Sequence, residues 1–416
     1  MKTKSMVLAL ALAGLPTLSH SAETLAVAPD SAQALGMVGG RYANLQDASA
    51  VRVSPANILS LEQAEFLINT SVWHGGSEFD SVSGAGLDTE DPWKFLGSAY
   101  AVLPVQPGRL ALGLGISTPY GLDSSYPRKS PLKYLVPYES RLLTLDITPV
   151  VAFRITSSLK AAVGLDVMYS ELSLKQAYPW SVAAGGLPFP DGEIEFEGDG
   201  WGIGAYAGIT WDIAKGHRLS LIGRLPLKVE YEGGFEARGL PAALGAAGFR
   251  KHSEFESDIT FPGSIAAGYG VDLTDRLTLG FDFMWSANKS HDDVPLNIGS
   301  NQALLASGGV PLDWKNAIDL GTGLSYRLND QWTARAGYLF SENSQNDFNY
   351  TPAVPSGHRH YIGAGLGWRG EKDGVDLGYA YVFVPERQVS GASQAAFNGE
   401  YKNAWHVLTL SYTRRF

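Results

Sequence analysis

The residues best able to move protons or bind a metal near neutral pH are the histidines, and the sequence scatters His74, His217, His252, His291, His358, His360 and His406 along the chain. Most fall in expected loops or at strand ends. None forms a recognisable Ser/His/acid constellation. His358 and His360 flank Arg359, but no carboxylate or further ligand is spaced to complete a metal site. There is no cysteine, so a disulfide framework and thiol chemistry are both absent. The expectation is a protein that is not an enzyme, with no catalytic residues, no cofactor and no metal. A more regular signal is acidic. Asp166, Asp212, Asp272, Asp282, Asp319 and Asp376 all sit inside alternating runs, on the parity opposite the large apolar residues. Arg327 and Arg335 share that polar parity. Charges placed this way either face water or pair with one another.

The elements that carry these charges read as strands. In RLTLGFDFMW (276–285), Leu277, Leu279, Phe281, Phe283 and Trp285 share one face and Asp282 lies on the other. VDLGYAYVF (375–383), AIDLGTGLSYRL (317–328) and WGIGAYAGITWDI (201–213) repeat the alternation. About fourteen such runs fit the strand template: 64–74, 94–104, 109–118, 139–155, 158–178, 196–213, 217–233, 254–272, 275–290, 312–328, 331–343, 357–370, 373–388 and 402–416. Many exceed the usual soluble strand of about five to six residues. Trp and Tyr recur near their ends. Short turns alternate with long loops. These features together predict an all-β fold, a transmembrane antiparallel β-barrel with turns in the periplasm and loops outside. The final strand must then pair with the first, since an open edge in lipid leaves backbone groups unpaired. Phe416, an aromatic at the end of that strand, is typical of chains recognised by outer-membrane barrel-assembly machinery.

The first residues, MKTKSMVLALALAGLPTLSHSA, combine a basic start, an apolar run too short to span a membrane, and Ser19 and Ser21 before the expected cut. Residues 1–21 thus read as a secretory signal peptide. Loss of Lys2 and Lys4 with it takes the formal charge from −10 to −12, which argues against nucleic acid as a partner. Residues 22–63 do not fit the strand template. Their small residues and mixed polarity suit a plug inside the barrel formed by 64–416. The expected loops 179–195 and 234–253 contain the apolar segments VAAGGLPFP and GLPAALGAAGF. Exposed apolar patches mark binding, so Leu187, Phe189, Leu240, Leu244 and Phe249 are candidate groove residues; packing among loops and contact with lipopolysaccharide are alternatives.

GMVGGRYANLQDASAVRVSPANIL (36–59) resembles the N-terminal hatch of the FadL/TodX family of outer-membrane transporters of hydrophobic compounds. That hatch carries Asn-Pro-Ala after an Asp-Ala pair. Here Asp47-Ala48 is followed by Ser54, Pro55 and Ala56, so serine stands in the asparagine place. STPYGLDSSY (117–126), PVVAFRITSSLKAAVGLDVMYSEL (149–172), TFPGSIAAGYGVDLTDRLTLGFDFMW (260–285), WKNAIDLGTGLSYRLNDQWTARAGYLFSE (314–342) and TPAVPSGHRHYIGAGLGW (351–368) are similar to later family segments, in the same order. The resemblance implies a fourteen-stranded barrel with a hatch, placed in the outer membrane of a Gram-negative bacterium. It implies capture of a hydrophobic molecule in an outer groove, hatch movement and lateral exit beside a kinked strand. Gly113 and Gly115 lie where the family has its kink, although glycine there also makes room for the hatch. Lys315 and Arg359 match cationic positions that would suit a fatty-acid carboxylate. Long-chain fatty acids and aromatic hydrocarbons both remain open as ligands; a diffusion porin and a barrel-type lipase are the rival functions. A monomer is expected.

Overall fold

The computed structural model describes residues 31–290, 293–305 and 308–416. The expected signal peptide (1–21) and the start of the plug segment (22–30) lie outside the described residues. Fourteen strands close into one antiparallel barrel. They are β1, Glu65–Ser81; β2, Trp93–Gln106; β3, Leu110–Ser117 continued by Gly121–Ser125; β4, Glu139–Arg154; β5, Leu159–Tyr178; β6, Gly192–Ala214; and β7, His217–Arg224 continued by Leu227–Arg238. Then come β8, His252–Phe261 continued by Ser264–Asp272; β9, Leu277–Ser286; β10, Ala317–Arg327; β11, Trp332–Ser341; β12, Arg359–Arg369; β13, Asp373–Val389; and β14, Gly399–Arg415.

Closure is made by β1 and β14, in register from Glu65↔Arg415 to Ser81↔Gly399. The terminal alternation has its cause here. Val407, Thr409, Ser411 and Thr413 are buried inward, while Leu408, Leu410 and Tyr412 are exposed on the outside, where lipid covers them. Phe416 is exposed, and its N–H donates to Ala64 O at 3.0 Å.

Three strands are interrupted. β3 breaks at residues 118–120, β7 at Leu225–Pro226 and β8 at Pro262–Gly263. The runs 217–233 and 254–272, expected as continuous strands, are therefore each split by a proline, which has no N–H to give to a ladder. The expected strands 275–290 and 312–328 are also shorter than read, ending at Ser286 and beginning at Ala317.

The N-terminal segment lies within the barrel. It contains helix α1 (Ala32–Met37), the single turn α2 (Ala50–Val53) and a 3-10 turn, Pro55–Ser60, and most of it is buried. α1 packs on β10 to β14, and the 3-10 turn on β3 to β6. Glycine makes this contact possible: a Cβ at Gly337 in β11 would fall on the Met37 carbonyl.

Candidate ligand-binding site

The barrel interior changes character along its axis. Towards the long loops it is apolar. Phe196, Phe235 and Phe255 pack edge to face, with centroids 5.1 and 5.6 Å apart, in one buried cluster with Trp180, Leu227 and Phe261. The loop helix Ala242–Ala246 adds Leu244, and Phe189, Leu240 and Phe249 pack against the same cluster. Leu187 is 56% exposed and lies apart from it. The sequence-derived groove residues thus converge, with Leu187 the exception.

Below this cluster Tyr120 stacks on Phe261, centroids 4.6 Å apart. Beneath them lies a charged layer that grips the N-terminal segment. Arg224 pairs with Asp166, covers the Tyr206 ring at 4.2 Å and donates to Arg52 O at 3.2 Å. Tyr206 donates to Val51 O at 2.7 Å. Other mid-strand aspartates are also paired. Asp282 accepts the Arg41 and Tyr42 amides at 2.8 and 3.2 Å, Asp376 pairs with Arg335 at 2.6 Å and Asp272 with Arg218 at 2.8 Å. Their alternation with apolar residues was legible; that Asp282 directly, and Asp166 through Arg224, hold the segment's backbone was not.

Within the segment, Asp47 accepts from Ser31 Oγ at 2.9 Å and from the Ser49 amide at 2.9 Å. Ala48 N donates to Glu65 on β1 at 2.8 Å. Pro55 opens the 3-10 turn and rests on Gly208, while Ala56 is fully buried. Ser54 Oγ is buried without a hydrogen-bond partner. Its role in tying the turn falls to Asn57, which donates to Tyr42 O and Leu45 O and accepts from Thr210 at 2.8 Å. Asn57 escaped the sequence reading, though an amide directly after Ser-Pro-Ala was the available signal. Nearer the short turns, a polar vestibule of about 790 Å³ is lined by Arg218, Arg276, Arg327, Arg335, Arg369 and Asp272, with Asn44 and Gln46 above.

The two cationic candidates sit in unlike places. Lys315 is more than half exposed and pairs with Glu342 at 2.8 Å. Arg359 is wholly buried, 5.9 Å from the centre of the Trp405 ring, and none of its three guanidinium nitrogens has a hydrogen-bond partner. Its neighbours His358 and His360 stack on Phe340 and Phe383.

The kink expected at Gly113 and Gly115 is displaced. Both residues lie in a regular ladder, opposite Val102 and Tyr100 on β2 and Val150 and Thr148 on β4. A Cβ at Gly113 would meet Val51 at 2.6 Å, so this glycine makes room for the segment. The break follows at residues 118–120. Above it, among the described residues, Trp93–Gly97 of β2 forms no ladder pair with β3. That stretch is bridged by Lys94, almost fully buried, whose Nζ is 3.2 Å from both Asp123 and Asp91.

A family model for outer membrane transport proteins (OMPP1/FadL/TodX) matches residues 15–416. A putative outer membrane protein of Neisseria meningitidis is 21% identical over 433 residues, covering 93% of each chain. The long-chain fatty acid transport protein of Salmonella typhi is 23% identical, covering 82% of this chain and 83% of the relative. Among solved structures, a Pseudomonas aeruginosa FadL homologue superposes with a TM-score of 0.83 at 19% identity, over 94% of this chain and 99% of its own. The Pseudomonas putida toluene transporter TodX gives 0.73 at 16%, over 94% and 99%. The chain belongs to the OMPP1/FadL/TodX family of transport proteins, in the outer membrane of Gram-negative bacteria.

Proposed function

We propose that this protein carries hydrophobic molecules, long-chain fatty acids foremost, across the outer membrane without an energy source. The loop residues Phe189, Leu240, Leu244 and Phe249, with Leu187 at the exposed margin, form the capture surface. The ligand then enters the apolar upper barrel, the N-terminal segment acts as a hatch that shifts, and the ligand leaves sideways where β2 and β3 are unpaired. Lys315 and its partner Glu342 lie at the rim, so Lys315 acts at most on entry.

The observation that carries the fatty-acid reading is Arg359. A buried guanidinium with no acceptor is costly, and a ligand carboxylate would supply two acceptors to its planar fork. The sideways route rests on magnitude. Each methylene moved from an apolar site into water costs about 0.8 kcal/mol. A long alkyl chain passing down through the polar vestibule would incur that cost at most of its carbons, whereas passage through the wall keeps it in apolar surroundings. The names of the relatives fit either ligand: the Salmonella protein is called a fatty acid transporter, and TodX a toluene transporter.

The test is uptake of labelled oleate and labelled toluene, side by side, by cells with and without the protein, and with Arg359→Leu. Oleate uptake that falls in the variant supports a carboxylate site. Toluene uptake alone moves the reading to the hydrocarbon branch and removes Arg359 as a ligand group. Passage of small sugars with uptake of neither would replace transport by a porin.

A further inference from the structure

The wall is weak at a second place, between β6 and β8. Pro226 of β7 and Pro262 of β8 fall opposite one another, because the register is the same on both sides of them: Arg224↔Ser264 below and Leu227↔Phe261 above. Two facing prolines leave that step of the ladder without N–H donors. On the other side of β7, pairing with β6 stops at Tyr206↔Arg224 and resumes at Asp199↔Glu232, with the register shifted by one residue. Across that interval no ladder pair is formed among the described residues, and Leu225 N donates to Ala205 O at 2.9 Å. In a membrane wall, unmade backbone pairing is tolerated where it serves a cavity or is covered by protein.

Apolar surface lies on both sides of this seam. Leu227 and Phe261 belong to the inner apolar cluster. Two residues along each strand, Leu225 and Gly263 line an open groove of about 1090 Å³ on the outer wall, together with Leu165, Ile265 and Trp285. Leu225, Leu165 and Ile265 are 62%, 47% and 49% exposed there. The inner edge of the seam is formed by Arg224 and Tyr206, and these two groups hold the Arg52 and Val51 carbonyls of the N-terminal segment.

We propose that this seam between β6, β7 and β8 is a second lateral door, and that the outer groove holds one alkyl chain of the transported ligand in transit between the inner cluster and the bilayer. The proposal rests on the transport reading above and adds a route to the β2–β3 gap. The occupant is an alkyl chain because the groove walls are hydrocarbon side chains continuous, across a proline-interrupted backbone, with the apolar interior. The polar ends of Tyr206 and Arg224, which also line it, are already engaged inside. The same engagement couples door to hatch: when α2 moves, Tyr206 and Arg224 lose Val51 and Arg52, and the inner edge of the seam is freed.

The absence of native cysteine permits a reversible test. Ala205→Cys with Leu225→Cys staples β6 to β7 at the seam. Leu377→Cys with Leu410→Cys staples the regular ladder between β13 and β14, outside the groove, and serves as control. Oleate uptake is measured for each protein oxidised and after reduction, the reduced form reporting that the variant folds. The seam staple is expected to lower uptake several-fold on oxidation, with recovery on reduction, while the control does not respond. Unchanged uptake with the seam stapled, or an equal loss in the control, overturns the door; the first result assigns the groove to bulk lipid. Wild-type protein that transports in the same assay keeps the transport reading standing in either case. Wild-type protein that takes up no oleate ends both.

Discussion

Arg359 holds a buried charge with no hydrogen-bond acceptor, near the Trp405 ring and within electrostatic reach of Asp319. A buried charge without an acceptor carries a desolvation cost that an apolar side chain of similar bulk does not. Arg359→Leu is therefore expected to raise the unfolding midpoint while lowering fatty-acid uptake. A variant that loses both would make Arg359 a structural residue. Asp47 poses the opposite case, a carboxyl with several donors. Burial holds it above the usual carboxylate range, against hydrogen bonds from Ser49 and Ser31, with Asp376 pushing in the same direction as burial. For an acid whose folded value is raised, the contribution to stability is present below its ordinary value and is lost as pH rises through the folded value. The N-terminal segment should then loosen towards alkaline pH. Trypsin cleavage after Arg52 measures this, with Asp47→Asn as the reference; a wild-type profile that tracks the variant at every pH would remove Asp47 as the cause.

The strands succeed as elements because their alternation is absolute where the wall is regular, and they fail at residues 118–120, Pro226 and Pro262. All three breaks adjoin the apolar upper barrel: Tyr120, Leu227 and Phe261 belong to that cluster or pack on it. The N-terminal segment fits the wall through glycines, and Gly113 is the most direct probe. A larger residue there must displace Val51, and overpacking of a filled core typically costs about 1–3 kcal/mol. Gly113→Leu is expected to leave the barrel closed, since its ladder bonds are backbone bonds, but to loosen the segment. Greater trypsin cutting after Arg52 at unchanged barrel circular dichroism is the readout. Equal cutting would mean that the segment does not bear on β3.

Across the whole molecule, an apolar upper barrel and a polar vestibule are separated by the N-terminal segment and the charged layer that grips it. On the proposed reading of the segment as a hatch, it is the barrier. Deleting residues 31–61 should leave a barrel that still closes through β1 and β14, while single-channel conductance in planar bilayers rises steeply. Conductance already high in the intact protein, and unaltered by the deletion, would point to an open porin.

Much of this architecture was written in period-two alternation. That pattern decides which face of each strand meets lipid, and it depends only on residues near one another in sequence. Strand number, loop asymmetry, the closing terminal strand and the positions of the inward aspartates were all legible for that reason. The loop segments that form the apolar cluster were legible as well, since their composition is anomalous for exposed loops. The partners were not. Whether a cation finds an acceptor is settled by residues on other strands, tens of positions away, so Lys315 and Arg359 looked alike in sequence, yet one is exposed and paired and the other is buried without an acceptor. The displaced break in β3 and the opposed Pro226 and Pro262 were hidden for the same reason. A proline in one strand is a local fact, but its facing another proline depends on register, and register exists only once the barrel has closed.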